Sequence, residues 1–369
     1  MKKQIETTGL LAMCMLVMSA CSNTEEVAGE NSDKLVELQI APSIIQARDV
    51  TATGAITGTS FSNGASIAVY ANSTTTNATS NNFAIYTVNS SSQWSNSDSG
   101  NKIYLSSENA TIYANYPSTV TATHASEEVT DQSTIEVTIF EGGVSDGSNT
   151  ITIENSSTTA INACSGEIDY MYAKLSSSIN NQSTEVAIPM KHAMSMVSFR
   201  VYKADTYNNN GYLTQITLGN VSSTVLAKPG ASDKATMKLG NGEITLSNPA
   251  AATYTRVIKE NAESYYTLKA VPAADGTETS PAFSILVYPI KAAIAADNIK
   301  ATFKIDDQDY TVNLPTMNAT NDYSWTAGKN HIYKVTLGGK ELTITSVSIT
   351  DWDSKTPIDG GDLTPVPAS

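Results

Sequence analysis

Short runs of alternating apolar and polar residues recur along almost the whole chain, separated by polar turns. Residues 111–116 read TIYANY and stop at Pro117, and the Asn63-Gly64 turn leads into the apolar run IAVY at residues 67–70. Alternation with a period of two places apolar side chains on one face of a strand. Asn-Gly supplies the positive φ angles that hairpin turns prefer. The pattern therefore predicts β-strands throughout and shows no convincing helical period.

The predicted strands begin at residues 35–40, in a run that we expect to end at Pro42, and finish at residues 342–349. The most apolar run covers residues 194–202. Further strands are predicted at residues 83–88, 102–105, 135–140, 151–153, 186–190, 213–218, 236–239, 244–246, 265–271, 283–288, 301–305, 310–314 and 332–337. Many short strands at this spacing predict an all-β protein with two antiparallel β-sandwich domains in tandem.

The N-terminus has the organisation of a bacterial lipoprotein signal. Lys2 and Lys3 precede the apolar residues 10–17, which are too few to span a bilayer. Residues 18–21, MSAC, have the form of a lipobox, which predicts a signal peptide at residues 1–20 and lipidation, including palmitate, at Cys21. Several acyl chains anchor a protein stably. The alternative is an ordinary secretory signal in which Cys21 is incidental.

The segment after Cys21 predicts the destination of the chain. Residues 22–26 are polar and end in Glu25-Glu26, which resembles the acidic tether of surface lipoproteins in Bacteroides-like bacteria. We therefore expect an outer-membrane lipoprotein precursor at the cell surface. We assign residues 21–48 to a lipidated propeptide with the first strand, residues 49–183 to an N-terminal sandwich, and residues 184–369 to a C-terminal sandwich with a Pro/Gly-rich tail.

Composition excludes some partners and some chemistry. The 369 residues include 22 basic and 36 acidic side chains, so the net charge of −14 opposes binding to nucleic acid. Cys14 leaves with the signal and Cys21 is expected to be lipidated, so Cys164 has no partner for an internal disulfide. Because no histidine lies near Cys164 in the sequence, we interpret it as a small residue near a turn.

The remaining polar residues form no recognisable catalytic or metal motif. His124, His192 and His331 are far apart, and a structural role is expected for His192 beside a core strand. The acidic clusters at residues 306–309 and 359–362 lack an ordered calcium loop, so solvated hairpin tips are favoured. We predict no catalytic residue, cofactor or metal, and hence no enzyme.

Aromatic residues leave one alternative function open. Trp94, Trp325 and Trp352, with the 17 tyrosines, offer faces on which sugars stack. A glycan-binding surface lipoprotein is therefore the alternative prediction. At strand positions, however, such side chains more often fill a core or an interface.

Arg48 is a candidate processing site. It is the only arginine before Arg200 and lies in the polar, small-residue stretch QARD at residues 46–49. Such a stretch is accessible to a trypsin-like protease, which would cut between Arg48 and Asp49. The alternative is a solvated surface arginine without a processing role.

Several of these stretches together resemble the fimbrillin (type V pilin) family of Bacteroidales, in its fimbrillin-like lipoprotein branch. They occur in one order behind the lipobox and extend over nearly the whole chain. The stretches are FSNGASIAVY at 61–70, TIYANYP at 111–117, IDYMYA at 168–173, KHAMSMVSFRV at 191–201, WTAGKNHIYKVTL at 325–337 and SITDW at 348–352.

The resemblance implies a fimbrial subunit precursor. Family members fold as two β-sandwich domains, and in those that polymerise a trypsin-like protease cuts after an arginine near the start of the mature chain. Here that bond is Arg48–Asp49, and residues 35–40 would be the strand that is released. The implied partners are other pilin subunits, the processing protease, the outer membrane through the lipid anchor, and a host or bacterial surface ligand of the adhesive fibre.

Strand release has a physical consequence. Loss of an edge strand leaves unpaired backbone groups beside an apolar groove, which a strand of another chain can fill. The C-terminal tail, residues 353–369, is rich in proline and glycine and makes a poor donor strand. Either residues 342–352 are the donor, or the protein is a tip or anchor subunit rather than a shaft subunit.

Overall fold

All regular elements in the described part of the chain are β-strands. The computed structural model describes residues 34–44, 61–73, 82–96, 100–119, 128–142, 147–153, 161–183, 185–273, 277–291, 298–314 and 325–351. In chain order the strands are β1 Val36–Glu37, β2 Ile40–Ile44, β3 Ser66–Ser73, β4 Phe83–Val88, β5 Trp94–Asn96, β6 Tyr104–Leu105, β7 Ala110–Tyr116, β8 Thr134–Val137, β9 Thr150–Thr152, β10 Ile161–Asn162, β11 Met171–Ile179, β12 Val186–His192, β13 Ser195–Lys203, β14 Tyr212–Asn220, β15 Ala227–Lys228, β16 Ala235–Lys238, β17 Ile244–Leu246, β18 Ala250–Ala251, β19 Thr253–Lys259, β20 Tyr266–Thr267, β21 Lys269–Ala270, β22 Ala282–Val287, β23 Ile299–Ile305, β24 Gln308–Asn313, β25 Lys329–Gly338 and β26 Glu341–Asp351.

Two sheets in the C-terminal half pack face to face as a sandwich. One has the order β10-β22-β13-β25-β26, and the other has the order β24-β23-β14-β19-β9. Phe199 of β13 and Phe303 of β23 meet edge to face across the core with ring centroids 5.3 Å apart. The core forms because alternate apolar side chains of both sheets point inward.

A seven-stranded sheet forms the N-terminal half, with the order β2-β12-β11-β7-β3-β4-β5. Its inner face holds a second core, which includes Ile67, Ile112 and Ile188. The two-stranded sheet of β1 and β6 contributes Leu105 to the same core. β2 comes first in the order of the seven-stranded sheet and therefore lies at its edge.

A third apolar cluster joins the two halves. It contains Tyr70 and Tyr113 from the N-terminal sheet and Met196 and Leu286 from the C-terminal sandwich. The sheet β17-β16-β8 also crosses between the halves, since β16 pairs with β8 in antiparallel register. β13 is buried along almost its whole length because this cluster covers one of its faces and the C-terminal core covers the other.

The sheet pairings cross the expected domain boundary at residues 183 and 184. β9 and β10 precede that point but pair with β19 and β22 of the C-terminal sandwich. β12 follows it but pairs with β2 and β11 of the N-terminal sheet. The division at residue 183 stays a prediction. The C-terminal sandwich includes strands that precede this residue, and the N-terminal sheet includes a strand that follows it.

The all-β prediction is confirmed, with two differences in detail. Not every neighbouring pair is antiparallel, because β2 with β12 and β13 with β25 run parallel. The first strand was expected at residues 35–40 with its end at Pro42, whereas this stretch forms two strands in different sheets, β1 and β2, and β2 continues through Pro42 to Ile44. At a sheet edge the missing N–H of proline removes no obligatory ladder bond, so proline is tolerated there.

Candidate functional site

The N-terminal strand β2 occupies the edge of the seven-stranded sheet. It runs parallel to β12, with Ile40 opposite Val186 and Ile44 opposite Met190. The N–H of Val186 donates to the carbonyl oxygen of Gln39 at 2.8 Å. β11 reaches β12 only at Lys191 and His192 in the described ladder. The backbone of β12 over residues 186–190 therefore relies on β2 for its described sheet pairing.

Alternate side chains of the same segment enter the N-terminal core. Leu38, Ile40 and Ile44 are 0%, 4% and 6% exposed, whereas Gln39 and Ser43 face solvent. Full burial of such a side chain contributes about 1.5–3 kcal/mol, so the three together contribute up to roughly 5–9 kcal/mol. The segment is thus an integral part of the core.

A second set of contacts holds the segment at Leu38. Its N–H donates to the carbonyl oxygen of Ile103 at 2.9 Å, and the hydroxyl of Tyr86 donates to its carbonyl oxygen at 3.0 Å. Burial, with a smaller contribution from the Glu37 carboxylate, raises the pKa of Tyr86 above its ordinary value. The hydroxyl therefore stays protonated and keeps its donor role.

A partly exposed ion pair lies beside this contact. Lys102 Nζ is 2.7 Å from Glu37 Oε2, and the hydrogen bond raises the pKa of Lys102. Half-exposed ion pairs contribute little free energy. Farther out, the side-chain amide of Asn181 donates to the carbonyl oxygen of Lys34 at 2.8 Å. These contacts join the residues before β2 to the rest of the N-terminal half.

Removing residues 34–44 would change the N-terminal sheet in a defined way. The backbone of residues 186–190 would lose its partner strand, and Ile188 and Met190 would lose the cover that β2 gives them. A sheet edge with free N–H and C=O groups beside an apolar groove is a template for another strand. This edge is the candidate functional site.

The last described strand, β26, is the edge of the C-terminal sheet. It pairs with β25 in antiparallel register, and Val347 is buried in the C-terminal core. Leu342, Ile344 and Ile349 are only partly buried there. β26 is thus an alternating apolar edge strand followed by the tail.

The predicted site residues Cys21, Arg48 and Asp49 lie outside the described residues. The other two arginines of the chain are buried. Arg200 donates to the carbonyl oxygen of Ser280. Arg256 is 0% exposed, and its Nη2 lies 2.6 Å from Glu167 Oε1. Neither peptide bond is presented to a protease in the folded protein.

The residues weighed for catalysis have structural surroundings. Cys164 is fully buried, and this burial raises the pKa of its thiol to about 12, so it is a poor nucleophile. Nδ1 of His192 lies 2.8 Å from Oδ2 of buried Asp169, in agreement with the structural role predicted for it. Burial lowers the pKa of His331 to about 3 and keeps it neutral. His124 lies outside the described residues.

The acidic cluster at residues 306–309 is organised by a turn. Asp306 accepts hydrogen bonds from the Tyr207 hydroxyl at 2.7 Å and from the N–H groups of Gly211 and Tyr212 at 2.7 and 2.9 Å. These bonds lower the pKa of Asp306 in spite of its partial burial. The carboxylate therefore closes a loop against β14. The cluster at residues 359–362 lies outside the described residues.

Two of the three tryptophans lie in the described residues, and they differ in burial. Trp325 is buried, and its Nε1 donates to the Tyr333 hydroxyl at 3.2 Å. Trp94 packs edge to face on Phe61 with centroids 5.2 Å apart. Trp325 therefore presents no open ring face of the kind that stacks on sugars, whereas Trp94 stays partly exposed. Trp352 lies outside the described residues.

Sequence reasoning missed the residues that hold the first strand. Tyr86 belongs to β4, Lys102 and Ile103 lie in the loop before β6, and no local pattern connects them with Leu38. The period of two from Leu38 through Ile40 to Ile44 was a usable signal for the longer strand. Within the described ranges, no helix has the length and apolar character needed to cross a membrane.

Comparisons with known proteins agree with this architecture. Residues 53–352 match a family model described as fimbrillin-like. No curated protein sequence matches the chain. Similar solved structures include two candidate cell adhesion proteins, one from Bacteroides uniformis and one from Bacteroides ovatus. The first is 16% identical, with a TM-score of 0.52 and coverage of 86% of this chain and 99% of that one.

The second is 17% identical, with a TM-score of 0.55 and coverage of 88% of this chain and all of the other. A fimbrial protein from Bacteroides vulgatus is 14% identical, with a TM-score of 0.47 and coverage of 78% and 92%. At these identities the first two structures establish a shared fold.

Proposed function

The chain belongs to the fimbrillin-like family, and on that premise we propose that it is a fimbrial subunit precursor that assembles by β-strand exchange. Members of this family are structural proteins of the cell-surface fimbrium and not enzymes. In the proposal the precursor is exported as a lipoprotein on Cys21, cut after Arg48, and built into an adhesive fibre with other pilin subunits. Residues 1–20 are the signal peptide, and residues 21–48 are the lipidated propeptide.

The observation that supports strand exchange is the position of β2. It precedes Arg48 in the chain, lies at a sheet edge, and carries Ile40 and Ile44 into the core. Release of this strand would leave β12 with an open edge over residues 186–190. Strand addition satisfies such an edge with main-chain hydrogen bonds and side-chain pockets together. A neighbouring subunit would thereby be held without a covalent bond.

The arginine distribution supports a single processing site. The chain has three arginines, and Arg200 and Arg256 are both buried in the sandwich. An arginine-specific member of the trypsin-like class would therefore cut the folded precursor only at Arg48–Asp49. A protease that also accepts lysine would find exposed alternatives, such as Lys234 and Lys291.

The donor strand proposed is the C-terminal edge strand β26 with Trp352. Its apolar residues alternate, as a groove lined on one face requires, whereas the prolines of the tail interrupt a ladder. Detaching β26 would cost its pairing with β25. Pairing in a neighbour's groove would compensate for that loss.

The experiment is to treat purified precursor with an arginine-specific protease and follow both fragment and assembly. We expect a chain beginning at Asp49 and, with time, a ladder of oligomers that resists detergent. Arg48→Gln is the control and should stay uncut and monomeric. A chain that is cut at Arg48 and remains monomeric under all conditions would contradict the polymerising role.

The lipid anchor has a separate test in cells. Incorporation of labelled palmitate should disappear in Cys21→Ala, and the protein should no longer fractionate with the outer membrane. Retention of label in the Cys21→Ala variant would contradict the assignment of Cys21.

A further inference from the structure

The contacts that hold residues 34–44 do not depend on the bond proposed for cleavage. The described contacts join Lys34, Glu37, Leu38 and β2 directly to the folded body. Hydrolysis of the Arg48–Asp49 bond breaks none of them. The cut segment therefore keeps its hydrogen bonds and its buried side chains after the bond has been hydrolysed.

The segment is held unequally along its length. Around Leu38 it is bonded on two sides, to Ile103 and Tyr86 on one side and, through Gln39, to β12 on the other. From Ile40 to Ile44 the described pairing is with β12 alone. The end nearest Arg48 is thus the weaker end.

We infer that the cut segment remains in the groove as a bound peptide and that an incoming strand displaces it from the Ile44 end towards Leu38. This inference rests on the proposed cleavage after Arg48. The ligand of the groove is an extended peptide with apolar residues at alternating positions, and residues 34–44 are its resident form. After cleavage alone, residues 34–44 therefore still occupy the groove and block the binding of another strand.

Displacement begins where the backbone of β12 is easiest to reach. Ile44 lies opposite Met190, so loss of pairing at Ile44 frees the edge of β12 at Met190. An incoming strand pairs there first and advances to Val186 as the resident strand peels away. The contacts of Tyr86 and Ile103 with Leu38 are the last to break. Assembly then depends on the concentration of the donor and not only on proteolysis.

The first test uses the full chain with Cys21→Ser, so that no lipid is attached. After cutting with an arginine-specific protease, mass spectrometry verifies cleavage at Arg48 and gel filtration shows whether residues 1–48 elute with residues 49–369. We expect co-elution, followed by release when a synthetic peptide of residues 34–44 is added in large excess. Arg48→Gln in the same treatment gives the uncut reference.

The second test measures direction by hydrogen exchange in the cut complex. Amides of β2 should exchange at least about tenfold faster than the amide of Leu38. Tyr86→Phe removes one bond at the strong end without changing the buried shape, so it should speed peptide release several-fold and leave the exchange of β2 little changed.

The outcomes separate this inference from the proposed function. Cleavage with immediate loss of residues 1–48 from a folded body would overturn retention and leave processing intact. Uniform exchange along residues 38–44 would overturn the direction of displacement. If Arg48 is not cut, the processing step of the proposed function fails. A variant with a site-specific protease sequence in place of residues 45–50 then tests retention in the same way.

Discussion

Leu38→Ala tests whether the N-terminal segment, residues 34–44, stabilises the seven-stranded sheet that it borders. The Leu38 side chain is 0% exposed and packs in the N-terminal core. Truncating a buried leucine removes transfer free energy and leaves a cavity, which together cost about 2–5 kcal/mol. Since 1.4 kcal/mol corresponds to a factor of ten, the opening equilibrium of this sheet should rise roughly 30-fold or more.

Hydrogen exchange of the uncut chain is the assay. Protection of β12 should fall by that factor in Leu38→Ala, because residues 186–190 pair with the affected segment. β25 lies in the other core, and its protection should change much less. Gln39→Ala is the matched control, since Gln39 is adjacent but faces solvent.

Two results would contradict a structural role for Leu38. If Leu38→Ala and Gln39→Ala lower the protection of β12 equally, the core contact of Leu38 is not what holds the strand. If β25 loses as much protection as β12, the two halves open as one unit, and the edge strand has no local role.

Three further variants test processing, acid sensitivity and the buried ion pair. Arg48→Lys should resist an arginine-specific protease yet be cut by trypsin, as peptide mapping will show. Because burial lowers the pKa of His331 to about 3 while the unfolded side chain titrates near 6.5, stability is complete above pH 6.5 and is lost as the pH falls towards 3. His331→Gln should flatten that loss in urea titrations between pH 7 and 4, and an unchanged slope would contradict this assignment. Glu167→Gln should leave the Arg256 guanidinium without its carboxylate and cost about 3–5 kcal/mol in urea unfolding. A loss below 1 kcal/mol would show that the pair is dispensable.

Much of the secondary structure was accessible from periodicity. β4 and β17 have the predicted bounds, and β7 includes the whole TIYANY stretch. In β4 and β17 buried and more exposed positions alternate, so the alternation survives in the sequence. β7 is buried on both faces, with Ile112 in the N-terminal core and Tyr113 in the third cluster. β13 was recognised as the most apolar run, and the structure gives the reason, since cores cover both of its faces.

The connections between strands were not accessible in the same way. Nothing local in the sequences of β2 and β12 specifies that they pair in parallel, because about 140 residues separate them and the pairing depends on the fold of that intervening chain. The pairing of strands from opposite sides of residue 183 could not be predicted for the same reason. Pro42 led to a wrong C-terminal boundary for the first strand. A proline ends a central strand but is tolerated in an edge strand, and the position of the strand in the sheet was not known from the sequence.

The candidate site was only partly predictable for a related reason. The sequence marked residues 35–40 as a strand ahead of Arg48, and the resemblance gave that strand its role. The hydrogen bond from Tyr86 to Leu38 and the ion pair of Lys102 with Glu37 are long-range contacts without a local signal. Such contacts appear only once the sheet is assembled.

The most direct test of strand exchange is the mass and the N-terminal residue of subunits recovered from washed cell-surface fibres. The account predicts a chain that begins at Asp49, with residues 34–44 absent from the fibre because a neighbour's strand has replaced them. Fibre subunits that still carry residues 34–44, either covalently or as a co-purifying fragment, would contradict it.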